Sequence, residues 1–529
     1  MRVALVATYT HPISLGLRYV SACLKRHGHD VRMLFMSSKR DTATADFSPA
    51  LLAAFVDQLR EADLIGLSLM TNTFVRARVL TEAIHRAGIK APVVWGGTHP
   101  TVAPDESIES ADMVCVGEGE QPMLELAETL EAGKDPSGVG SFVVKVGQGV
   151  VRNPVMRLDE KLDEQPFPDY DLNTHLIVDG DELVPARPEL LRGALHRYRI
   201  ETTRGCPYSC AFCNNAAMRR IYKGKGSWVR RRSVENVIEE LRQVRRRFPT
   251  IEAVNIVDDL FFVRSEEDID RFSRLYKEQV DLPLELDAFP NTITERKVRS
   301  LSRVPISLIS MGIQSGSPDT LKNIYARPTP IETVTEGIRI LSKARTKAEY
   351  HYLVDNPFEP ERNVIETLRF AATHHSPPAI VRVFPLQFYP GTPLHDRARA
   401  EGVIGQRHES AYHYMYAGKK YLKRAAYLEI WLRVVLALRG RGVPSRVVHR
   451  LLDVVIHPQV RWALDRRWFA PMSYRLWRIG RVLWRNLLYQ PFVRPFRSLR
   501  RRKPRYERLH PEDEVTLPRK PIPAPGSLK

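Results

Sequence analysis

Thr203-Arg204-Gly205-Cys206-Pro207-Tyr208-Ser209-Cys210-Ala211-Phe212-Cys213 places three thiols within eight residues, spaced Cys-x-x-x-Cys-x-x-Cys. Gly205 and Pro207 keep the stretch out of helix, so it reads as a turn beyond a strand near Arg199 to Thr203. Three thiolates so spaced can converge on one metal centre. A zinc site normally takes four protein ligands and paired Cys-x-x-Cys spacing, so here a fourth, such as His196, has to be recruited from elsewhere. Packing alone gives no reason for three thiols in one loop. An iron–sulfur cubane held by three cysteines uses all of them and leaves one iron open for chemistry.

Downstream, apolar runs recur near Ala253 to Val257, Leu284 to Ala288, Ile306 to Met311, Tyr350 to Val354 and Ile380 to Leu386, with helical patterns between them. One of those helices is explicit: Ser233 can cap it, and Val234, Val237, Ile238, Leu241 and Val244 share a face. Six strand–helix units over residues 196–400 predict a partial barrel of parallel strands, short of the eight units of a closed one.

Upstream, continuous apolar strands alternate with amphipathic helices from Val3 to beyond Pro122, which predicts a doubly wound parallel sheet over 1–150 covered on both faces. Ligands of such a sheet lie beyond the carboxyl ends of its strands. The turns expected there are Tyr9-Thr10-His11-Pro12, Thr71-Asn72-Thr73, Gly96-Gly97-Thr98-His99-Pro100-Thr101 and Gly117-Glu118-Gly119-Glu120. Any one glycine pair is ordinary connection geometry, and loop hydrogen bonding accounts for His11 and His99; four such turns on one edge suggest a ligand site. The rhythm is lost after residue 131, and Gln165-Pro166-Phe167-Pro168-Asp169-Tyr170 reads as a proline-stiffened connector, so 151–195 is expected to be a linker.

The chain has 529 residues, 43% hydrophobic and 27% charged, which excludes a largely disordered chain and predicts several domains. Its formal charge is +19, yet 28 of the 80 basic and only 9 of the 61 acidic residues lie beyond residue 400, so the first 400 are neutral. Five of the seven tryptophans (Trp431, Trp462, Trp468, Trp477, Trp484) share this basic end. Within Met472 to Tyr489, Arg475, Arg478, Arg481 and Arg485 fall on one helical face and Leu476, Trp477, Leu483, Trp484 and Leu487 on the other. The expectation is a basic helical extension over 401–495 followed by a disordered tail over 496–529, with the helix packed against the barrel with its arginine face solvated, on an anionic membrane, or on nucleic acid; arginine with tryptophan favours the membrane, and nucleic acid is the least favoured. Five cysteines are too few for a disulfide framework and suit a reducing cytoplasm. The amino terminus reads as a strand rather than a secretory signal, and no apolar window is long enough to span a bilayer.

With Phe212 before the last cysteine, the array resembles that of the radical S-adenosylmethionine (SAM) enzymes. The resemblance implies that Cys206, Cys210 and Cys213 ligate a [4Fe-4S] cluster whose open iron chelates SAM. An electron from a flavodoxin- or ferredoxin-type donor then releases a 5'-deoxyadenosyl radical that takes a hydrogen atom from substrate. It also implies SAM contacts at Phe212, Asp258, Asp259, Gln314, Ser315 and Gly316; without the cysteines, Asp258 and Asp259 read as a solvated strand end or helix cap. The stretch Asp355-Asn356-Pro357-Phe358-Glu359 departs from the usual glycine-rich form. A doubly wound domain ahead of such a barrel is similar to the cobalamin-binding subclass, which implies cobalamin contacts at Thr10, His11, Thr71, Gly96, Gly97, Thr98, Gly117 and Glu118. The Asp-x-His-x-x-Gly motif is absent, so cobalamin binds without a histidine ligand or the domain survives as a scaffold. The expected activity is methylation of an unactivated carbon of a small-molecule or lipid-like substrate. The alternatives are a radical cyclase or rearrangement enzyme, a tRNA-modifying radical enzyme, and a non-catalytic metal-binding module. The expected location is the cytoplasm, peripheral on the inner face of the membrane.

Overall fold

Leu5, Val6, Met33, Leu34, Leu64 and Ile65 are wholly buried because their strands lie inside a sheet covered on both faces. The computed structural model describes residues 1–9, 13–36, 47–191, 195–344, 346–375, 379–405 and 426–460. The first sheet is built from β1 (Arg2–Ala7), β2 (Asp30–Phe35), β3 (Leu64–Ser68), β4 (Val93–Gly96), β5 (Met113–Cys115), β6 (Phe142–Val146), β7 (Gly149–Arg152), β8 (His175–Asp179) and β9 (Glu182–Pro185). Its order is β7-β6-β5-β4-β3-β1-β2-β8-β9. The run from β5 through β8 is parallel, while β6 and β7 at one edge and β9 at the other are antiparallel. The chain leaves β1 toward β2, then crosses to β3 on the other side, so the switch point lies between β1 and β3, where such sheets open a ligand crevice.

The expected linker is therefore corrected: β7 to β9 lie within or beside it and widen the sheet at both edges. The proline segment inside it is also anchored. Asp169 accepts hydrogen bonds from Ser21 (2.6 Å) and Lys25 (2.9 Å), and its backbone carbonyl accepts one from buried Arg18 (2.6 Å).

The second sheet has six parallel strands in chain order: β10 (Arg197–Ile200), β13 (Ala253–Ile256), β14 (Leu284–Ala288), β15 (Ile306–Gln314), β16 (Ala348–Val354) and β17 (Ile380–Pro385). This is the expected partial barrel. The helix Val234–Arg247 follows its pattern, with Ser233 accepting from the Asn236 N–H. Between β10 and β13 a small antiparallel ladder, β11 (Thr203–Arg204) with β12 (Arg230–Arg231), carries the chain into and out of the cysteine segment.

At the carboxyl end, helices Ala426–Gly440 and Ser445–Val455 lie against the barrel helix Glu361–His374. Ser445 donates to the Ala372 carbonyl and Arg369 pairs with Asp453, both at 2.9 Å. The basic pattern at 472–489 and the tail at 496–529 lie outside the described residues. Among the described residues no helix is long and apolar enough to cross a membrane.

Candidate functional site

β10 and the short β11 deliver the chain to Gly205, whose φ of +84° and missing side chain are both required: a Cβ there would stand 2.2 Å from the Trp228 carbonyl oxygen. Trp228 Nε1 donates to the Cys206 carbonyl at 2.9 Å, the Ala211 N–H to the Tyr325 carbonyl at 2.8 Å and the Leu394 N–H to the Ala211 carbonyl at 2.9 Å. The loop is thus tied on three sides. Cys206 and Cys210 are buried and Cys213, half-buried, opens the helix Asn214–Ile221.

Burial pushes the Cys206 thiol up to about 12 and Cys213 up to about 11, and it raises Cys210 against the opposing pull of Arg327. Three thiols that resist ionisation by themselves suit a bound cationic centre, which reverses that preference. Among the described residues no three of His, Cys, Asp and Glu converge on one ion-sized position. A cubane does not ask for that, since each cysteine meets a different iron, whereas a mononuclear zinc site does. The donor set fits the cluster.

Sequence reasoning missed Arg327. Its guanidinium is buried, 3.8 Å from Cys210 Sγ, and lies 3.9 Å over the Phe289 ring, which stacks on Tyr208. No local pattern in Ala326-Arg327-Pro328 signals that contact.

Beside this loop a cavity of about 900 Å³ opens between the two sheets. Gly96, Gly97, Thr98, Gly117 and Glu118 line one side and Phe212, Cys213, Asn215 and Asp259 the other. Gly97 (φ +101°) lets the backbone pass Leu69, whose carbonyl oxygen would sit 2.7 Å from an added Cβ. Leu5, Val20, Val94, Met70, Met123 and Met218 make much of the wall apolar. A glycine-edged, largely apolar crevice at the switch point fits a large planar cofactor such as cobalamin. Thr10 and His11 lie outside the described residues. Thr71 is buried away from the cavity, 3.2 Å from His99 Nδ1. Among the described residues no histidine lines it.

Expectations on the SAM side divide. Phe212 and Asp259 line the cavity, with Asn215 donating to Asp259 at 2.8 Å. Asp258 does not: its buried carboxylate accepts from the N–H groups of Thr202 and Thr203 and the Thr202 hydroxyl, bracing the strand that leads to the cysteines. Gln314 (φ +73°), Ser315 and Gly316 also lie off this cavity. Ser315 Oγ is 3.0 Å from Thr367 Oγ1, and Thr367 accepts from the Gly316 N–H at 3.0 Å.

Known proteins agree with this architecture. Residues 1–127 match the B12 binding domain family and residues 200–371 the radical SAM superfamily. An uncharacterized methyltransferase of Pyrococcus horikoshii is 26% identical over 398 residues, 74% of this chain and 79% of its own. The hopanoid C-3 methylase of Methylococcus capsulatus is 26% identical over 48% of this chain and 43% of its own. Among solved structures, the radical S-adenosylmethionine methyltransferase TsrM of Kitasatospora setae, with tryptophan substrate and a SAM analog bound, superposes with a TM-score of 0.60 at 18% identity, over 76% of each chain. The two domains bring a [4Fe-4S] cluster, SAM and cobalamin as the cofactors of this chain. With residues 1–127 forming a B12-binding sheet and 200–371 a radical SAM barrel, both opening on one cavity, the chain joins a B12 binding domain to a domain of the radical SAM superfamily and is similar to proteins named as cobalamin-dependent radical SAM methyltransferases.

Proposed function

We propose that the protein methylates an unactivated carbon of a small-molecule or lipid-like substrate. The observation that carries this reading is the single cavity onto which both the glycine turns of the first sheet and the cysteine loop of the barrel open. At its edge Cys206, Cys210 and Cys213 hold the cluster, Phe212 and Asp259 face SAM, and Gly96, Gly97, Thr98 and Gly117 let cobalamin approach the backbone. Gln314, Ser315 and Gly316 contribute to the SAM site from the end of β15, and Thr71 supports the cobalamin side through His99. When bound, cluster and cobalamin supply the one-electron cleavage of SAM and the methyl group that the substrate carbon receives. The chain's own part is to orient both against one substrate and, through its apolar wall, to exclude water.

The lipid-like class draws support from the name of the hopanoid relative and from the arginine- and tryptophan-rich sequence beyond residue 400. That sequence suits a peripheral position on an anionic membrane face in a reducing cytoplasm, with a flavodoxin- or ferredoxin-type donor supplying electrons. Anaerobically reconstituted protein with cobalamin, SAM and a strong reductant is expected to yield both S-adenosylhomocysteine and 5'-deoxyadenosine. Formation of 5'-deoxyadenosine alone, with no methylated product, would overturn the proposal in favour of a cyclase or rearrangement enzyme.

A further inference from the structure

Between the B12-binding sheet and the cysteine loop, along the wall of the cavity, lies a set of largely buried charges whose strongest contacts are with one another. Glu118, in the turn after β5, accepts through Oε2 from Arg204 Nη1 at 3.1 Å and Arg230 Nη1 at 3.0 Å, and through Oε1 from Arg230 Nη2. Glu120 and Glu201 take the remaining faces of the Arg204 guanidinium, each at 2.7 Å. Arg204 and Arg230 are directly opposed in the β11–β12 ladder, and Arg204 stands two residues before Cys206. A second route runs beside the first: the Glu118 N–H donates to Tyr222 Oη at 2.6 Å, the Tyr222 ring lies alongside Trp228, and Trp228 donates to the Cys206 carbonyl. Gly117 is held to the same contact, since a Cβ there would stand 2.0 Å from Tyr222 Oη.

Buried ion pairs are a poor source of stability, because desolvation consumes most of what attraction returns; forked guanidinium–carboxylate bonds fix geometry instead. Resting on the two-cofactor reading above, we propose that Glu118, gripping Arg204 and Arg230, is a positioning residue that clamps the cysteine loop to the turns of the B12-binding sheet and so sets the separation of the two cofactors.

The test uses the full chain as wild type, Glu118→Gln, which keeps the shape and removes the charge, and Glu118→Asp, which keeps the charge. Hydrogen exchange of the 203–213 segment is expected to accelerate about tenfold in the Gln variant, with β13 to β16 unchanged, and to be partly restored in Asp. In protein loaded with both cofactors, pulsed electron paramagnetic resonance between cobalt(II) and the reduced cluster should give a distance distribution broadened by about 1 Å or more in the Gln variant, read on the fraction that carries both centres. Unchanged exchange and distance in the Gln variant would overturn the clamp, as would equal loss of fold in both variants. A wild-type chain that binds no cobalamin would refute the functional reading, while exchange at 203–213 would still decide on the clamp.

Discussion

Replacing Cys206, Cys210 or Cys213 singly by Ala is expected to drop iron and sulfide in the reconstituted protein to background while circular dichroism stays unchanged. Zinc bound without sulfide would contradict that. Arg327 stands beside the same cysteines as a buried charge. A buried cation beside Cys210 favours the added electron, so Arg327→Met should lower the cluster's reduction potential by on the order of 100 mV, seen in a redox titration. The cysteines were legible because their spacing is local. Arg327 was not, because its partner is 117 residues away. Asp258 and Asp259 were legible only as a pair: successive residues at a strand end point to opposite sides, and sequence does not say which one meets the cavity.

The end of β15 is held by the helix that follows β16, where Thr367 meets Ser315 and Gly316, and a buried carboxyl stands beside that contact. Burial pushes the Glu359 carboxyl up to about 7, although Thr320 donates to it at 2.8 Å and Ser315 at 3.3 Å; burial does the same to Asp355. The folded pKa exceeds the unfolded value of about 4.3, so the native state binds the extra proton between the two. That stability is fully present below about pH 4 and lost as pH rises through about 7. Thermal melts should therefore show Tm falling between about pH 4 and 7, with a shallower slope in Glu359→Gln; an unchanged slope would remove Glu359 from the account. Strands that alternate with helices were readable from their apolar runs, from β1 to β5 and across the barrel. The strands within 142–185 were not, because β7 is exposed along its length and the short apolar runs of β6 and β8 lead into antiparallel hairpins with no helix between strands, so the strand–helix rhythm is lost.

Over the whole molecule the charge divides as the sequence indicates, with a neutral body and a basic end, but the boundary moves. Helices 426–455 belong to the barrel's outer face, so a membrane role rests on the residues beyond 457. Full-length protein should float with anionic liposomes more than a chain truncated after His457; equal flotation would remove the membrane from the account. The order of domains was legible because each repeats one strand–helix unit. The clamp between them was not, since Glu118 reads as a cofactor-side turn until Arg204 and Arg230 are seen around it. The central claim is methyl transfer to carbon, and SAM labelled with a CD3 group tests it most directly in anaerobic extracts of a host lacking the gene, supplemented with the reconstituted protein. The account predicts a metabolite that carries the CD3 group intact and is absent without the protein; recovery of all the label in methionine and residual SAM would contradict it.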